Sequence, residues 1–306
     1  MTVRQGILPH TYWANGLRIA SEFEFPELQK ADFEQFDLYV KRGVVPEKLD
    51  DCVYTSRYVQ ISPDGFLFNV QNTARYLVTN DNLIEIDEHP QSETAAVRIY
   101  ALSTLFGVIL HRRNLLALHA SAVNVNGKAV LFSGNSGVGK STLALGFLKK
   151  GYEVINDDIS AIQFDADSVP FVYSGYQHLK LWPSSLELYE HSAESLTKLR
   201  NSLDKYSFPI NRSQQREYPI KAIFMLEACD EEQPRMEMLT TFQKLELLRL
   251  NTFRPALVDK LGKRTEHFKL SSTIIGNVPV FKLFRPATMA PESFVDFVER
   301  KISQTA

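Results

Sequence analysis

The octapeptide GNSGVGKS at residues 134–141 meets the pattern Gly-x-x-x-x-Gly-Lys-[Ser/Thr] in full. The chemistry of that pattern is phosphate binding. Glycines at Gly134, Gly137 and Gly139 let the backbone turn tightly, so that the N–H groups of the loop, Asn135, Ser136 and Val138 included, aim at phosphate oxygens. A helix that starts at the end of such a loop adds its positive terminus. Lys140 has the reach and charge for the β- and γ-phosphates of ATP, the Ser141 hydroxyl is placed for Mg²⁺, and Thr142 completes the set. The flanks agree: residues 129–133 (AVLFS) are a short β-prone run, and STLALGFLKK after the lysine is a good helix former that stops at Gly151.

Two carboxylates, Asp157 and Asp158, follow at once on a second short strand candidate, residues 152–155. One aspartate at the end of such a strand is the usual partner of the loop's Mg²⁺, and a second can take the proton of an attacking hydroxyl. Neighbours on a strand point opposite ways, so both serve one site only where the backbone turns, as at Asn156–Asp157. Upstream, His119 lies in the strand candidate LHASAV. The Asn126–Gly127 dipeptide is a strong hairpin signal, and the hairpin carries this histidine back beside the loop's own strand.

These residues resemble the catalytic domain of bacterial HPr kinase/phosphorylase, a fold distantly similar to ATP-type phosphoenolpyruvate carboxykinase. The likeness rests on His119, the Asn126–Gly127 turn, GNSGVGKST and Asp157–Asp158, and covers about residues 100–285. It implies an α/β P-loop kinase domain using ATP and Mg²⁺. Asp157 is then the base on an acceptor serine, Asp158 a metal ligand, and His119 a support beside the base. Catalysis also needs an arginine to neutralise the transferring phosphoryl group, a residue worth ~10³ in rate when well placed. Arg254, in NTFRP, is the candidate by position.

The chain departs from that family where bifunctional members carry an Arg/Gly-rich signature. Here the comparable stretch is YSGYQHLKLWPSSLELY, residues 173–189. With the opening YWANGLRIASEFEFPEL, LHASAV, LKLWP and LFRP (residues 283–286), the chain is similar to a divergent HPr-kinase-like group. Some members of that group phosphorylate the C-terminal serine of lasso-peptide precursors. The resemblance therefore implies a precursor peptide as acceptor. An HPr-like carrier protein, free serine and a P-loop NTPase switch remain as alternatives, the switch disfavoured by the double aspartate and by the lack of Asn-Lys-x-Asp. Arg212 and Arg216 join Arg254 as candidates to grip a terminal carboxylate.

The elements that must position these groups divide into two stretches. Residues 1–92 read as a separate, mostly β domain for recognition or assembly, with strands at residues 36–42, 58–61, 66–70, 74–78 and 83–86. Residues 93–306 read as the catalytic domain, entered by a long helix over residues 93–111. After the aspartates come Trp182 beside Lys180, a helix over residues 184–199, a long irregular loop over residues 201–216, a strand over residues 220–226 and a helix over residues 236–250. A hairpin pairing residues 265–270 with 278–283 and a final amphipathic helix complete the expectation.

Bulk properties bound the answer. A chain of 306 residues with a formal net charge of -2 is no general nucleic-acid binder. Its two cysteines, Cys52 and Cys229, make neither a metal spacing nor a disulfide framework. No signal-peptide core and no apolar run near the length of a membrane span are evident, so the expectation is a cytoplasmic protein without membrane attachment, with homo-oligomerisation left open.

Overall fold

The computed structural model of the chain describes residues 8–176, 178–189, 196–200, 203–211 and 215–305. The architecture is mixed α/β, β-rich at the N-terminus. The first nine strands are β1 (His10–Ala14), β2 (Leu17–Ser21), β3 (Gln29–Lys30), β4 (Leu38–Arg42), β5 (Tyr54–Thr55), β6 (Val59–Ile61), β7 (Gly65–Val70), β8 (Ala74–Thr79) and β9 (Leu83–Glu88). They form one sheet in the order β3-β1-β2-β4-β9-β8-β7-β6-β5. The sequence reading misses β1 and β2, although Asn15–Gly16 is the same turn signal as Asn126–Gly127; both pairs have positive φ.

A helix then runs from Thr94 to Arg112: α1 (Thr94–Tyr100), a π-helical turn (Ala101–Leu105) and α2 (Phe106–Arg112). With a mean hydropathy of 1.4 it is long and apolar enough to cross a membrane by length and composition, which corrects the expectation that no run approaches that length. Here it is a core helix. Val97, Leu105, Phe106 and Ile109 pack with Tyr12, Phe66 and Tyr76 of the first sheet and, in the same core, with Ala117, Ile159, Tyr176 and Phe253 from later in the chain.

The second sheet is built from β10 (Leu116–Leu118), β11 (Ala120–Val125), β12 (Lys128–Gly134), β13 (Glu153–Asn156), β14 (Ser160–Phe164), β15 (Pro170–Tyr173), β19 (Glu217–Cys229), β20 (Arg235–Met238) and β21 (Val280–Pro286). Its main path is β10-β14-β15-β19-β12-β11-β13, with β21 on the far side of β19 and β20 on β21. β12, β19 and β21 run parallel, and β11–β12 is the expected hairpin. Successive residues alternate between faces. Phe132 and Phe224 pack under α3 (Lys140–Lys149) and α8 (Pro291–Gln304), while Leu131, Ile223 and Met225 face α5 (Thr241–Leu250) and α7 (Arg264–Asn277). A small third sheet, β16 (His178–Leu181), β18 (Leu203–Pro209) and β17 (Thr197–Arg200), stands beside α3.

Several element expectations are corrected. The helix after Trp182 is short, α4 (Pro183–Glu187), and residues 197–200 are strand; the intervening residues 190–195 lie outside the described residues. The expected loop over residues 201–216 contains β18, which pairs antiparallel with β16 and β17. Residues 235–238 are strand rather than helix, because α5 starts only at its capping box, Thr240 with Gln243. The hairpin at residues 265–283 is instead helix α7 followed by β21. The turn expected at Ile275-Gly276-Asn277 is the end of that helix, whose buried face is His267, Ser271 and Ile274, a sparse stripe that marks a helix only weakly in the sequence. Between α5 and α7 lies α6 (Pro255–Lys260).

Candidate active site

The glycine-rich loop leaves β12 at Gly134 and enters α3 at Lys140. Three of its glycines have positive φ: 146° at Gly134, 85° at Gly137 and 106° at Gly139. Lys140 is buried and folds back onto the loop, donating to the carbonyls of Gly134 (2.8 Å) and Asn135 (3.0 Å). Burial pushes its ammonium down to about 8; Asp157 and Asp158 pull it up, and Lys205 pushes it further down. Val138 closes the loop with its N–H on the Asn135 carbonyl (3.3 Å), and Thr142 bonds Ser185 of α4 (2.8 Å).

β13 ends at Asn156 and delivers the two aspartates. The turn that aims both at one cavity centres on Asp158, one residue later than expected: Asp158 has φ 73°, and the Ile159 N–H bonds the Asp157 carbonyl (3.0 Å). A three-residue turn with positive φ is rare and strained, the kind of cost that persists where the surroundings over-determine it.

The surroundings do so here by giving each carboxylate its own partners. Asp157 is buried; its Oδ1 accepts from Ser121 (2.5 Å) and from Ser141 (2.9 Å), and its Oδ2 accepts the backbone N–H of Lys180 (2.9 Å). Asp158 accepts from the Lys180 ammonium (2.6 Å) and from His119 Nδ1 (3.3 Å), which also faces the Asp158 carbonyl at 3.0 Å. Burial pushes the Asp158 carboxyl up, but Lys180 and His119 outweigh it and hold it well below the usual carboxylate range. The expectation paired His119 with Asp157; the structure pairs it with Asp158. Lys180 touches both carboxylates, one by its backbone and one by its side chain.

His119 stands at the break between β10 and β11. Its N–H bonds the Asn251 carbonyl (2.8 Å), its own carbonyl accepts from Ser133 (3.0 Å), and its ring lies 6.2 Å from that of Phe253. Arg254 follows at the start of α6 with φ 51°, its guanidinium over the Phe253 ring at 5.6 Å. It is electrostatically coupled to Asp158 but does not line the cavity. Arg216 stacks instead on Trp13 (4.7 Å) and Phe33 (4.9 Å), away from the carboxylates, and Arg212 lies outside the described residues.

A cavity of about 230 Å³ joins these groups. Its lining includes His119, Asp157, Asp158, Lys180 and Lys140 together with the apolar Leu188, Tyr189, Pro291 and Phe294. Trp182 lines it too, with the Lys205 ammonium 4.9 Å from its ring centre. Ser121, Lys205 and Arg285 were not singled out from the sequence. Only the LFRP string hinted at Arg285, whose Nε donates to the Val138 carbonyl (3.1 Å).

Among the described residues no group of three or more His, Cys, Asp or Glu is placed to hold a metal. The Ser141–Asp157 pair offers two oxygens, a donor set suited to Mg²⁺, which takes one or two protein oxygens and fills its octahedron with phosphate oxygens and water.

Comparison with known proteins bears on the same stretch. Residues 113–173, which include His119, the glycine-rich loop and both aspartates, match the family described as the HPr Serine kinase C-terminal domain. No curated protein matches the chain. The structure of the Hpr(Ser) kinase/phosphatase from Coxiella burnetii is similar at 12% identity with a TM-score of 0.33, over 61% of this chain and 97% of that chain. The likeness to the HPr kinase/phosphorylase superfamily thus rests on residues 113–173.

Proposed function

We propose that this site transfers the γ-phosphoryl group of ATP, with Mg²⁺, to a serine hydroxyl. The observation that carries the reading is the split of partners between two adjacent carboxylates at the mouth of a glycine-rich loop. Asp157, bonded to the Ser141 hydroxyl, suits the metal shell. Asp158, held by His119 and Lys180, suits the base. This reverses the roles that the family resemblance implied for the pair. Bound as Mg–ATP, the nucleotide supplies the phosphoryl group while the metal neutralises charge on its oxygens. Asp158 takes the acceptor's proton as the serine oxygen bonds to phosphorus and the ADP oxygen departs. His119 Nδ1 and the Lys180 ammonium hold that carboxylate in place.

For the acceptor we favour the C-terminal serine of a precursor peptide. The support is the resemblance carried by LHASAV, LKLWP and LFRP, together with a cavity wall rich in cations. A terminal carboxylate in this cavity would meet Lys205 rather than Arg254, which does not line it, or Arg216, which is occupied by Trp13 and Phe33.

The test compares Asp157→Asn and Asp158→Asn by titration with Mg–ATP analogues and by single-turnover transfer. Asp158→Asn should keep nucleotide binding and lower the chemical rate by ~10²–10⁴. Asp157→Asn should lose metal–nucleotide affinity first. The opposite pattern would restore the original assignment of roles.

A further inference from the structure

Arg285 stands in the cavity wall without a counter-ion among the described residues. Its neighbours there have partners: Lys180 is paired with Asp158, Lys140 is bonded to two loop carbonyls, and Asp157 accepts from Ser121, Ser141 and the Lys180 N–H. Arg285 spends its Nε on the Val138 carbonyl and forms no ion pair among the described residues. It is half-buried, lining the same cavity as Lys140 and Lys205. Like charges gathered in a partly desolvated wall cost free energy unless an anion joins them. A guanidinium has five N–H donors, so a planar fork remains free for such an anion.

The topology says which part of a phosphate chain it meets. β12, β19 and β21 are parallel neighbours, so the glycine-rich loop after Gly134 and Arg285 emerge on the same C-terminal edge, the edge where open α/β sheets bind ligands. The aspartates come from β13, reached from β12 through β11 on the opposite side. Arg285 and the carboxylates therefore flank the loop from opposite sides. Arg285 lies beside the loop: a Cβ at Gly139 would sit 3.5 Å from Arg285 Nε, an ordinary van der Waals contact. Six and nine residues further on, Pro291 and Phe294 line the same cavity.

We propose that Arg285 binds the phosphates of the nucleotide that remain in ADP, from the side of the loop opposite the aspartates. This rests on the nucleotide reading of the site. It assigns Arg285 to ground-state binding, so its loss should raise the KM for ATP and leave kcat within a few-fold.

The experiment measures the Kd of Mg–ADP by calorimetry over a series of KCl concentrations, for the wild type, Arg285→Gln and Arg285→Lys. Thermal melts check that each is folded. Arg285→Gln should weaken Mg–ADP by about 10- to 100-fold, the range for a lost charge-assisted contact. Its affinity should also depend less steeply on salt, because one ionic contact is gone. Arg285→Lys should keep the steep salt dependence and recover part of the affinity. A Kd for Arg285→Gln within twofold of wild type overturns the proposal. So does a large loss with unchanged salt dependence, which would make Arg285 only a brace for the Val138 carbonyl. Failure of the folded wild type to bind Mg–ADP or Mg–ATP at all would instead remove the nucleotide reading on which the proposal stands.

Discussion

At the scale of single residues, two glycines of the loop separate backbone strain from steric exclusion. Gly134 has φ 146°, and a Cβ there would lie 2.5 Å from the Leu226 carbonyl oxygen on the neighbouring strand. Gly137 has φ 85° but nothing within 4 Å of a Cβ. Gly134→Ala should cost about 2–4 kcal/mol, since backbone must move as well as adopt a disfavoured φ. Gly137→Ala should cost about 1–2 kcal/mol, the local penalty alone. Chemical denaturation of the two variants reads the difference. The loop itself was plain in the sequence because its residues are contiguous and each type has a local reason. The partners were not. Ser121 reaches Asp157 through the pairing of β11 with β13, Lys180 reaches both aspartates from the separate third sheet, and Arg285 reaches the loop from β21. Nothing local distinguishes Asp157 from Asp158; only the turn at Asp158 decides which of them meets Ser141 and which meets His119.

At the scale of elements, the segment between α5 and α6 is what fixes His119. Two buried histidines hold it. His111 Nε2 donates to the Phe253 carbonyl (2.8 Å). His267 Nε2 lies 2.6 Å from the Thr252 hydroxyl, whose own proton goes to the Leu248 carbonyl, so the histidine is the donor. Burial pushes His267 from the ordinary 6.5 down to about 4, with His111 and Arg249 pushing the same way and Asp259 opposing; burial also lowers His111. Above pH 6.5 both states hold these rings neutral. As pH falls below that value the unfolded chain takes up protons that the native state refuses, so stability drops until about pH 4. The His267 share is on the order of 2 kcal/mol. His267→Gln keeps a donor for Thr252 and should flatten the decline of stability between those pH values in urea melts; an unchanged slope would show that His267 is not the titrating group.

The sequence reading located the helix before His119 and the β11–β12 hairpin, because periodicity and turn chemistry there agree with the fold. It failed at α7, where residues 265–270 are too weakly amphipathic for a helix to stand out, and at β18, where the alternation of Tyr206 and Phe208 with Lys205 and Ser207 is only two residues deep in a stretch rich in turn formers.

At the scale of the whole molecule, one core joins the first sheet to the helix Thr94–Arg112 and to the segments around the site. Phe253, which packs against His119, belongs to it, as does Tyr176. The Tyr176 hydroxyl bonds the Leu102 carbonyl of that helix, and its ring lies 5.7 Å from the Lys180 ammonium. Such a connection was invisible in a reading that took the two stretches one at a time, because none of its residues carries a motif. The Asn15–Gly16 turn adds a second link: Asn15 donates its N–H to Ser174 (2.8 Å), and Gly16 lies so close to the Tyr173 ring that a Cβ would stand 2.5 Å from it. The β-rich N-terminal sheet thus braces β15 and the stretch that leads from it to Lys180.

The central claim is phosphoryl transfer from ATP to a serine hydroxyl at the joint of these parts. Its most direct measurement is mass spectrometry of peptides ending in serine after incubation with Mg–ATP and either the wild type or Lys140→Ala. The account predicts one added phosphate on the terminal serine with the wild type and none with Lys140→Ala, whose ammonium no longer reaches the β- and γ-phosphates. A folded wild type that phosphorylates no serine acceptor, peptide, carrier protein or free amino acid, or a Lys140→Ala variant that transfers undiminished, would contradict it.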